Sequence, residues 1–294
     1  MHLLDGKMIA EKIKAEIAQV VLHDFLDKGK PAPHLAAVLI GEDPASQTYV
    51  ASKEKDCKEV GFLSSIYRYP SDFTQKNLLE VVDFLNADPE IDGFIVQLPL
   101  PRHIDERLII ERIDPAKDVD GFHPVNVGRM TLNMPAYLPA TPFGILTLLE
   151  RYNIETAGKH CVVLGRSHIV GSPVSILLSR KGSPGNCTVT LCHSFTPDIK
   201  SLTRAADILV VAMGKKEFVT ADMVKEGAVV IDVGIHRVDD PAAKSGFRLK
   251  GDVQFEEVSK KCSYITPVPG GVGPMTRVSL LLNTLKAAKK EVIY

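Results

Sequence analysis

The chain has 294 residues, of which 45% are hydrophobic and 24% are charged, and its formal net charge is -1. This length and composition predict one large or two ordinary globular domains with an ample core. The near-neutral charge excludes nucleic acid and anionic membranes as partners held by bulk electrostatics. The five cysteines are odd in number and form no CxxC pair, so we expect buried thiols in a reducing compartment.

The N-terminal segment, residues 1–21, has the pattern of an amphipathic helix with interspersed lysine and glutamate. It has no signal-peptide core, and no stretch of the chain approaches the roughly eighteen apolar residues of a membrane span. We therefore expect a cytoplasmic protein. Transit to an organelle followed by cleavage of a leader is the alternative.

Strand-like and helix-like segments alternate through the first half of the chain. Apolar runs at 34–41, 63–70 and 91–101 predict buried strands, and the segments 44–62 and 74–88 predict helices. Regular alternation of this kind predicts parallel sheets covered by helices, which is an α/β fold.

The second half repeats this alternation. Strands are predicted within 159–167, 189–194, 206–214 and 227–235, with helical segments between the first three and a short one before the last. Between the halves, Thr141 before Pro142 predicts an N-cap with proline at the first helical position. We expect this helix to join an N-terminal domain ending near residue 140 to a second domain ending near 270, with a final helix that could belong to either.

A glycine turn follows the first strand of the second half, in the stretch "CVVLGRSHIVGSP". Gly165 allows a tight turn, Ser167 and Gly171 follow, and the amides at the start of the next helix would face a pyrophosphate. The pattern predicts a dinucleotide site, although an ordinary turn between strand and helix would carry similar glycines.

The end of the next strand indicates which dinucleotide is bound. It carries His193 and Ser194 but no carboxylate for a ribose 2′-hydroxyl, and Arg166 lies on the first turn. A guanidinium with hydroxyl and imidazole donors suits a 2′-phosphate, so NADP is favoured over NAD. The alternative is that Arg166 only faces solvent. Gly214 and Gly234 end the following two strands, where small residues would let a cofactor lie across the strand ends.

A second group of candidate residues lies in "PASQTYVASK". Tyr49 and Lys53 are four residues apart on one helical face, with Ser46 one turn earlier. Lys53 could donate or accept a proton if burial lowers its pKa. An exposed surface helix would show the same spacing.

Two further segments carry polar residues at positions where ligands gather. Gln97 in "FIVQLPLP" ends an apolar strand, at the sheet edge where parallel folds bind ligands. Asp118 and Asp120 precede Gly121 in "KDVDGF", where an aspartate either makes a turn or accepts hydrogen bonds from an amino-pyrimidine edge.

The stretch "PVPGGVGPMT" at 267–276 precedes the last apolar helix. Its prolines and glycines predict a loop of defined shape with few side chains in the way. It is either a tight connector or a place where a ligand approaches the backbone closely.

Together these motifs resemble one family, the bifunctional methylenetetrahydrofolate dehydrogenase/methenyltetrahydrofolate cyclohydrolase (FolD) family. The motifs occur in the family order and span nearly the whole chain: YxxxK at 49–53, QLPLP at 97–101, KDVDGF at 117–122, GRSHIVGSP at 165–173 and PVPGGVGPMT at 267–276.

The resemblance implies a catalytic, folate-binding α/β domain of residues 1–140 plus 274–294 and a Rossmann-like NAD(P)-binding domain of residues 141–273. It implies oxidation of 5,10-methylenetetrahydrofolate with NADP and hydrolysis of the methenyl product to 10-formyltetrahydrofolate. It also implies a homodimer formed through the cofactor domains. The net charge, the lack of a long apolar run and the spacing of the histidines predict no nucleic acid, membrane or metal partner.

The resemblance also assigns the site residues. The implied catalytic residues are Lys53, Tyr49 and Gln97. The implied folate-binding residues are Tyr49, Ser46, Asp120, Pro267, Gly270 and Gly271. The implied cofactor-binding residues are Gly165, Arg166, Ser167, Ile169, Gly171, His193, Ser194, Gly214, Gly234, Ile235 and Thr276.

Two departures from the family pattern affect this interpretation. Ala140 stands where many relatives have cysteine, so a thiol at that position is not essential here. His168 stands where lysine or asparagine is common, which replaces one possible cation with a titratable imidazole. Two rival functions remain, another NAD(P)-dependent dehydrogenase and a non-catalytic dinucleotide-binding regulator, but neither accounts for Lys53, Gln97 and Asp120 in their motifs.

Overall fold

The computed structural model of the protein describes residues 1–241, 243 and 246–294. These residues form two compact units. The three-stranded unit comprises Glu11–Ala140 and Arg277–Tyr294, and the six-stranded unit comprises Met1–Ala10 and Thr141–Thr276. Each unit is an α/β structure with a parallel sheet, so the predicted fold class is confirmed.

The strands and helices are numbered in chain order. The strands are β1 His2–Leu3, β2 His34–Ile40, β3 Leu63–Tyr69, β4 Gly93–Val96, β5 His160–Leu164, β6 Thr188–Cys192, β7 Ile208–Val211, β8 Val229–Asp232, β9 His236–Asp239, β10 Phe247–Lys250 and β11 Tyr264–Ile265. The α-helices are α1 Gly6–Asp24, α2 Pro44–Val60, α3 Gln75–Ala87, α4 Glu106–Arg112, α5 Pro124–Thr131, α6 Ala140–Arg151, α7 Gly171–Ser179, α8 Ile199–Arg204, α9 Phe255–Val258 and α10 Val272–Ala288. Short 3-10 helices lie at Leu26–Lys28 and Ala221–Met223.

The three-stranded unit has the strand order β3-β2-β4, with both pairs parallel. The apolar positions of α3 recur at Leu78, Val82 and Leu85, and this face packs with β2 and β4 in one buried core cluster. β4 is shorter than its predicted run because prolines at 99 and 101 cannot donate to a sheet. The core therefore fixes the carboxyl end of β4, immediately before Gln97.

The six-stranded unit has the strand order β1-β11-β8-β7-β5-β6, all parallel, and an antiparallel hairpin of β9 and β10. The apolar strands β5, β7 and β8 form its buried core. Met1–Ala10 lies in this unit, whereas the sequence predicts the other domain, because β1 pairs with β11 in register His2 to Tyr264. Two-residue strands carry too little pattern to be predicted.

Two predicted helix starts differ from the structure. α6 begins at Ala140, so Thr141 lies inside the helix instead of capping it, and its hydroxyl lies 3.0 Å from Thr276 Oγ1. α10 begins at Val272, so the second half of the predicted loop is helical. Pro274 fits there because the amides of the first helical turn need no partner within the helix.

The five cysteines are free and buried, as predicted. Among the helices of the described residues, none combines the length and the apolar character that a membrane crossing requires.

Candidate active site

The helix that carries Lys53 has well-defined ends. Asp43 caps α2 by accepting a hydrogen bond from Ser46 N at 2.8 Å, and a proline follows it at the first helical position. Gly61 ends the helix with φ 81°, a left-handed conformation that favours glycine. Lys53 therefore lies in the middle of a regular helix that is capped at both ends.

The structure brings Lys53, Gln97 and Tyr49 together. Lys53 is only 7% exposed, and its Nζ donates a hydrogen bond to Gln97 Oε1 at 3.2 Å. The same Nζ lies 4.9 Å from the centre of the Tyr49 ring. Gln97 Nε2 donates to Leu98 O at 2.7 Å, which turns the amide so that its oxygen faces the lysine.

Burial lowers the pKa of Lys53, and the carboxylate of Asp120 and the thiol of Cys57 partly oppose this effect. Burial also raises the pKa of Asp120, and the charge of Lys53 partly opposes it. The burial that the sequence analysis names as the condition for proton transfer by Lys53 is therefore present in the structure. A lowered pKa makes it easier for the amine to give up its proton and then to accept one from a reacting group.

Asp120 is half-buried in the loop that follows β4 and precedes α5. Gly121 has φ 75°, and a Cβ atom there would lie 2.5 Å from the carbonyl carbon of Leu138, so the turn needs glycine. Ala140 N donates to Asp120 O at 3.2 Å, so the alanine at this departure from the family pattern contributes through its backbone. Ser46 is buried two turns before Lys53 on α2, and the structure gives it no bond to the lysine.

In the six-stranded unit, the turn after β5 is tightly packed. Gly165 has φ 108°, and a Cβ atom there would lie 2.1 Å from Ala212 O. A Cβ atom on Gly171, the first residue of α7, would lie 1.9 Å from Gly165 O. Ser167 Oγ accepts hydrogen bonds from Val170 N at 3.2 Å and Gly171 N at 3.4 Å. The backbone after β5 and the backbone at the start of α7 therefore lie as close together as a dinucleotide-binding turn requires.

The predicted 2′-phosphate residues lie near an aromatic side chain that the sequence interpretation missed. Arg166 Cζ lies 5.9 Å from the centre of the Phe195 ring, and Phe195 is 81% exposed. The His193 ring lies 6.3 Å from the same ring, and Ser194 stands between them in the chain. The phenylalanine three residues after β6 was the signal that could have revealed it.

Further cofactor candidates follow the carboxyl ends of the parallel strands. Gly214 and Gly234 follow β7 and β8, and the apolar side chains of Ile169 and Ile235 are exposed, as is His168. These exposed apolar side chains, the closely packed glycines Gly165 and Gly171 and the exposed guanidinium of Arg166 fit a dinucleotide with a 2′-phosphate.

The sequence analysis also missed a network of buried carboxylates, which binds the backbone that follows β7 and β8. Asp252 Oδ2 accepts from Met213 N at 2.7 Å and Gly214 N at 2.9 Å, and its Oδ1 lies 2.6 Å from His236 Nε2. A Cβ atom on Gly234 would lie 2.3 Å from Asp252 Oδ1, so this carboxylate explains the glycine. Asp232 Oδ1 accepts from Asp252 N at 2.9 Å, and burial raises the pKa of Asp232 to about 6.

The folate-loop candidates Pro267, Gly270 and Gly271 lie in the six-stranded unit, whereas Lys53 lies in the other. Gly270 has φ 107°, and its carbonyl accepts from Lys7 N at 2.9 Å. A Cβ atom on Gly271 would lie 2.7 Å from Pro267 O. Contact therefore excludes a side chain at Gly271, and the left-handed backbone disfavours one at Gly270. Within the described ranges, no group of three or more His, Cys, Asp or Glu side chains is arranged to hold a metal ion.

Comparison with known proteins identifies the family. The model of the tetrahydrofolate dehydrogenase/cyclohydrolase catalytic domain matches residues 4–120, and that of the NAD(P)-binding domain of the same family matches residues 139–292. The chain belongs to the tetrahydrofolate dehydrogenase/cyclohydrolase family. The family predicted from the motifs is therefore confirmed.

Close relatives in this family match over almost their entire length. The bifunctional protein FolD of Porphyromonas gingivalis is 64% identical over 98% of this chain and 97% of its own, and that of Cytophaga hutchinsonii is 62% identical over 98% and 99%. Among solved structures, the FolD enzyme of Campylobacter jejuni has a TM-score of 0.92 and 48% identity, covering 99% of this chain and 100% of its own. The Trypanosoma brucei dehydrogenase-cyclohydrolase, complexed with NADP cofactor and inhibitor, has a TM-score of 0.92 and 40% identity, covering 99% and 98%.

Proposed function

We propose that this chain oxidises 5,10-methylenetetrahydrofolate to 5,10-methenyltetrahydrofolate with NADP and hydrolyses the product to 10-formyltetrahydrofolate. The observation that carries the proposal is the buried Lys53, which is hydrogen-bonded to Gln97 and interacts electrostatically with Asp120. The models of both domains of the family match the chain that contains it. A dinucleotide-binding regulator would have no use for this cluster.

NADP is the cofactor, and when bound it supplies the hydride acceptor for the methylene carbon. Gly165, Ser167 and Gly171 would hold its pyrophosphate, and Arg166 with Ser194 would hold its 2′-phosphate. The departure at His168 leaves this set of donors intact. The other candidates would line the cofactor along the strand ends and at the start of α10: Ile169, His193, Gly214, Gly234, Ile235 and Thr276.

Hydrolysis of the methenyl cation needs proton transfers, and Lys53 performs them. As water adds to the methenyl carbon, the neutral Nζ accepts a proton from it. When the ring C–N bond breaks, that proton passes to the departing nitrogen and the new hydroxyl releases its own, so one proton is released overall. Gln97 and Tyr49 orient the amine.

The folate contacts are assigned to the candidate residues that the family motifs name. Asp120 accepts hydrogen bonds from the amino-pyrimidine edge of the pterin, since a carboxylate matches two adjacent N–H donors. Tyr49 and Ser46 line the same part of the site. Pro267, Gly270 and Gly271 offer a backbone surface to the ring system.

The first test is turnover of 5,10-methylenetetrahydrofolate with NADP and NAD in parallel, following reduced nicotinamide and the methenyl intermediate separately. Reduction of NADP with little accumulation of methenyl is expected. Accumulating methenyl would contradict the hydrolytic role of Lys53, a preference for NAD would contradict the 2′-phosphate assignment, and no reduction would refute the function.

The role of Lys53 is tested by Lys53→Met. We expect cyclohydrolase activity to be lost because, among the described residues, Lys53 supplies the amine that lies beside Gln97 and Tyr49. Lys58→Met on the same helix is the matched control, since Lys58 is a surface residue paired with Glu54. Wild-type hydrolysis rates in Lys53→Met would contradict the assignment.

We also propose that the protein works in the cytoplasm as a homodimer formed through its cofactor units. Five free thiols suit a reducing compartment, and the dimer follows from the family resemblance. Light scattering that finds only monomer at micromolar concentration would refute the dimer.

A further inference from the structure

The loop that carries Asp120 is held by two buried amides for which the proposed function assigns no role. We propose that Asn126 and Asn283 are positioning residues that fix the Asp120 loop opposite Lys53, with Tyr294 orienting the first of them. The inference rests on the proposed function, because it concerns how Asp120 meets the folate and the lysine.

Asn283, on α10, is fully buried. Its Nδ2 donates to Val119 O at 2.8 Å and to Leu138 O at 2.9 Å. Val119 immediately precedes Asp120, and Leu138 is the residue whose backbone lies against Gly121. One amide therefore joins the two backbone segments that enclose Asp120, and its orientation is unambiguous because both partners are acceptors.

Asn126, on α5, is also fully buried and acts through Asp118. Its Nδ2 donates to Asp118 Oδ2 at 2.8 Å. The Asp118 carboxylate accepts in addition from His123 N at 2.8 Å and from Phe122 N at 3.2 Å. These bonds span the turn from the residue before Val119 to the residues after Gly121, so the loop is fixed on both sides of Asp120.

Tyr294 sets the orientation of the Asn126 amide. Its hydroxyl donates to Asn126 Oδ1, and Tyr137 N donates to the same oxygen at 3.2 Å. Two donors on Oδ1 turn the Nδ2 group toward Asp118. Arg129 holds the tyrosine, because its Nη2 donates to Ile293 O at 2.9 Å and its Cζ lies 4.9 Å from the Tyr294 ring.

The experiment compares Tyr294→Phe and Asn283→Leu with the wild-type enzyme. Asn283→Leu removes two hydrogen bonds to the loop, and Tyr294→Phe removes the bond that orients Asn126. We expect the KM for 5,10-methylenetetrahydrofolate to rise about threefold in Tyr294→Phe and about tenfold in Asn283→Leu, which leaves two buried carbonyls unpaired. The KM for NADP should not change, because the cofactor residues lie in the other unit.

The matched control is Tyr152→Phe, which removes one hydroxyl that accepts from Asp5 N at 2.9 Å in the six-stranded unit. It should leave the folate KM unchanged. A purely structural role would lower the active fraction and reduce kcat for both reactions with unchanged KM values, and this result would overturn the inference. Unchanged kinetics in both loop variants would do the same, and equilibrium binding of tetrahydrofolate, measured by fluorescence, gives an independent readout. An inactive wild-type enzyme would instead refute the proposed function.

Discussion

Gly171→Ala should separate the two activities of the protein. Gly171 is the first residue of α7, and a Cβ atom there would lie 1.9 Å from Gly165 O and 2.5 Å from Gly165 C. Both atoms belong to backbone, so no flexible side chain can move aside. The added methyl group must push the turn after β5 away from α7.

The size of the effect follows from this contact. The distance would have to lengthen from 1.9 Å to at least 3.0 Å, the limit for real Cβ contacts. Overpacking of this kind costs about 1–3 kcal/mol. Because the displaced turn carries the residues that would hold the pyrophosphate, we expect most of this free energy to be lost from NADP binding. The KM for NADP should rise about tenfold or more, since 1.4 kcal/mol is about tenfold.

The assay measures dehydrogenase activity against NADP concentration and, separately, hydrolysis of methenyltetrahydrofolate without cofactor. Hydrolysis should persist, because Lys53 and its neighbours lie in the other unit. Gly128→Ala is the control, since a Cβ atom at Gly128 would meet no described atom within 4 Å apart from its chain neighbours and the backbone of its own helix. An unchanged KM for NADP in Gly171→Ala would refute the reasoning, and equal loss of both activities would show that the whole fold had been damaged.

Three further results are expected. Asp120→Ala should raise the folate KM because the pterin loses its acceptor, and an unchanged KM in steady-state assays would contradict that role. Burial raises the pKa of Asp118 to about 7, above its unfolded value of 3.8. The stability from this group is therefore full below pH 4 and is lost as pH rises through 7. Denaturant titrations should show that this contribution to the free energy of unfolding is about 2–3 kcal/mol smaller at pH 8 than at pH 5. In Asp118→Asn the free energy of unfolding should depend less on pH by a similar amount, whereas Asp232 titrates in both proteins. Parallel plots of the free energy of unfolding against pH for the two proteins would disprove the assignment. Leu85→Ala, at a fully buried core position, should lower the free energy of unfolding by about 2–5 kcal/mol. Leu132→Ala at a 72% exposed position should change it by less than about 0.5 kcal/mol.

The sequence was sufficient to predict those elements that are determined by residues close together in the chain. The helix bearing Lys53 was predictable because apolar spacing and the left-handed Gly61 both act within a few residues. The strand β2 was predictable because its apolar run is continuous and buried on both faces. The turn at Gly165 was predictable because a strand, a glycine and a helix start follow one another directly.

The tertiary structure alone decided features that depend on distant partners. β1 joins the six-stranded unit through a strand more than 250 residues later, as the pairing of His2 with Tyr264 shows. Asn283 reaches Val119 across 164 residues, and the sequence offers no local sign of this bond. Phe195 could be recognised as part of the candidate site only after the fold showed the Arg166 guanidinium near its ring.

By itself, then, the sequence determined the α/β alternation and the family, and it pointed to Lys53, Gln97 and Asp120 as candidate site residues, because these follow from periodicity and short motifs. The tertiary structure decided which unit holds the first ten residues, where α10 begins and which amides hold the Asp120 loop. The physical reason is that a hydrogen bond or a backbone contact is chosen by distance in space, and residues far apart in the chain carry no pattern that records it.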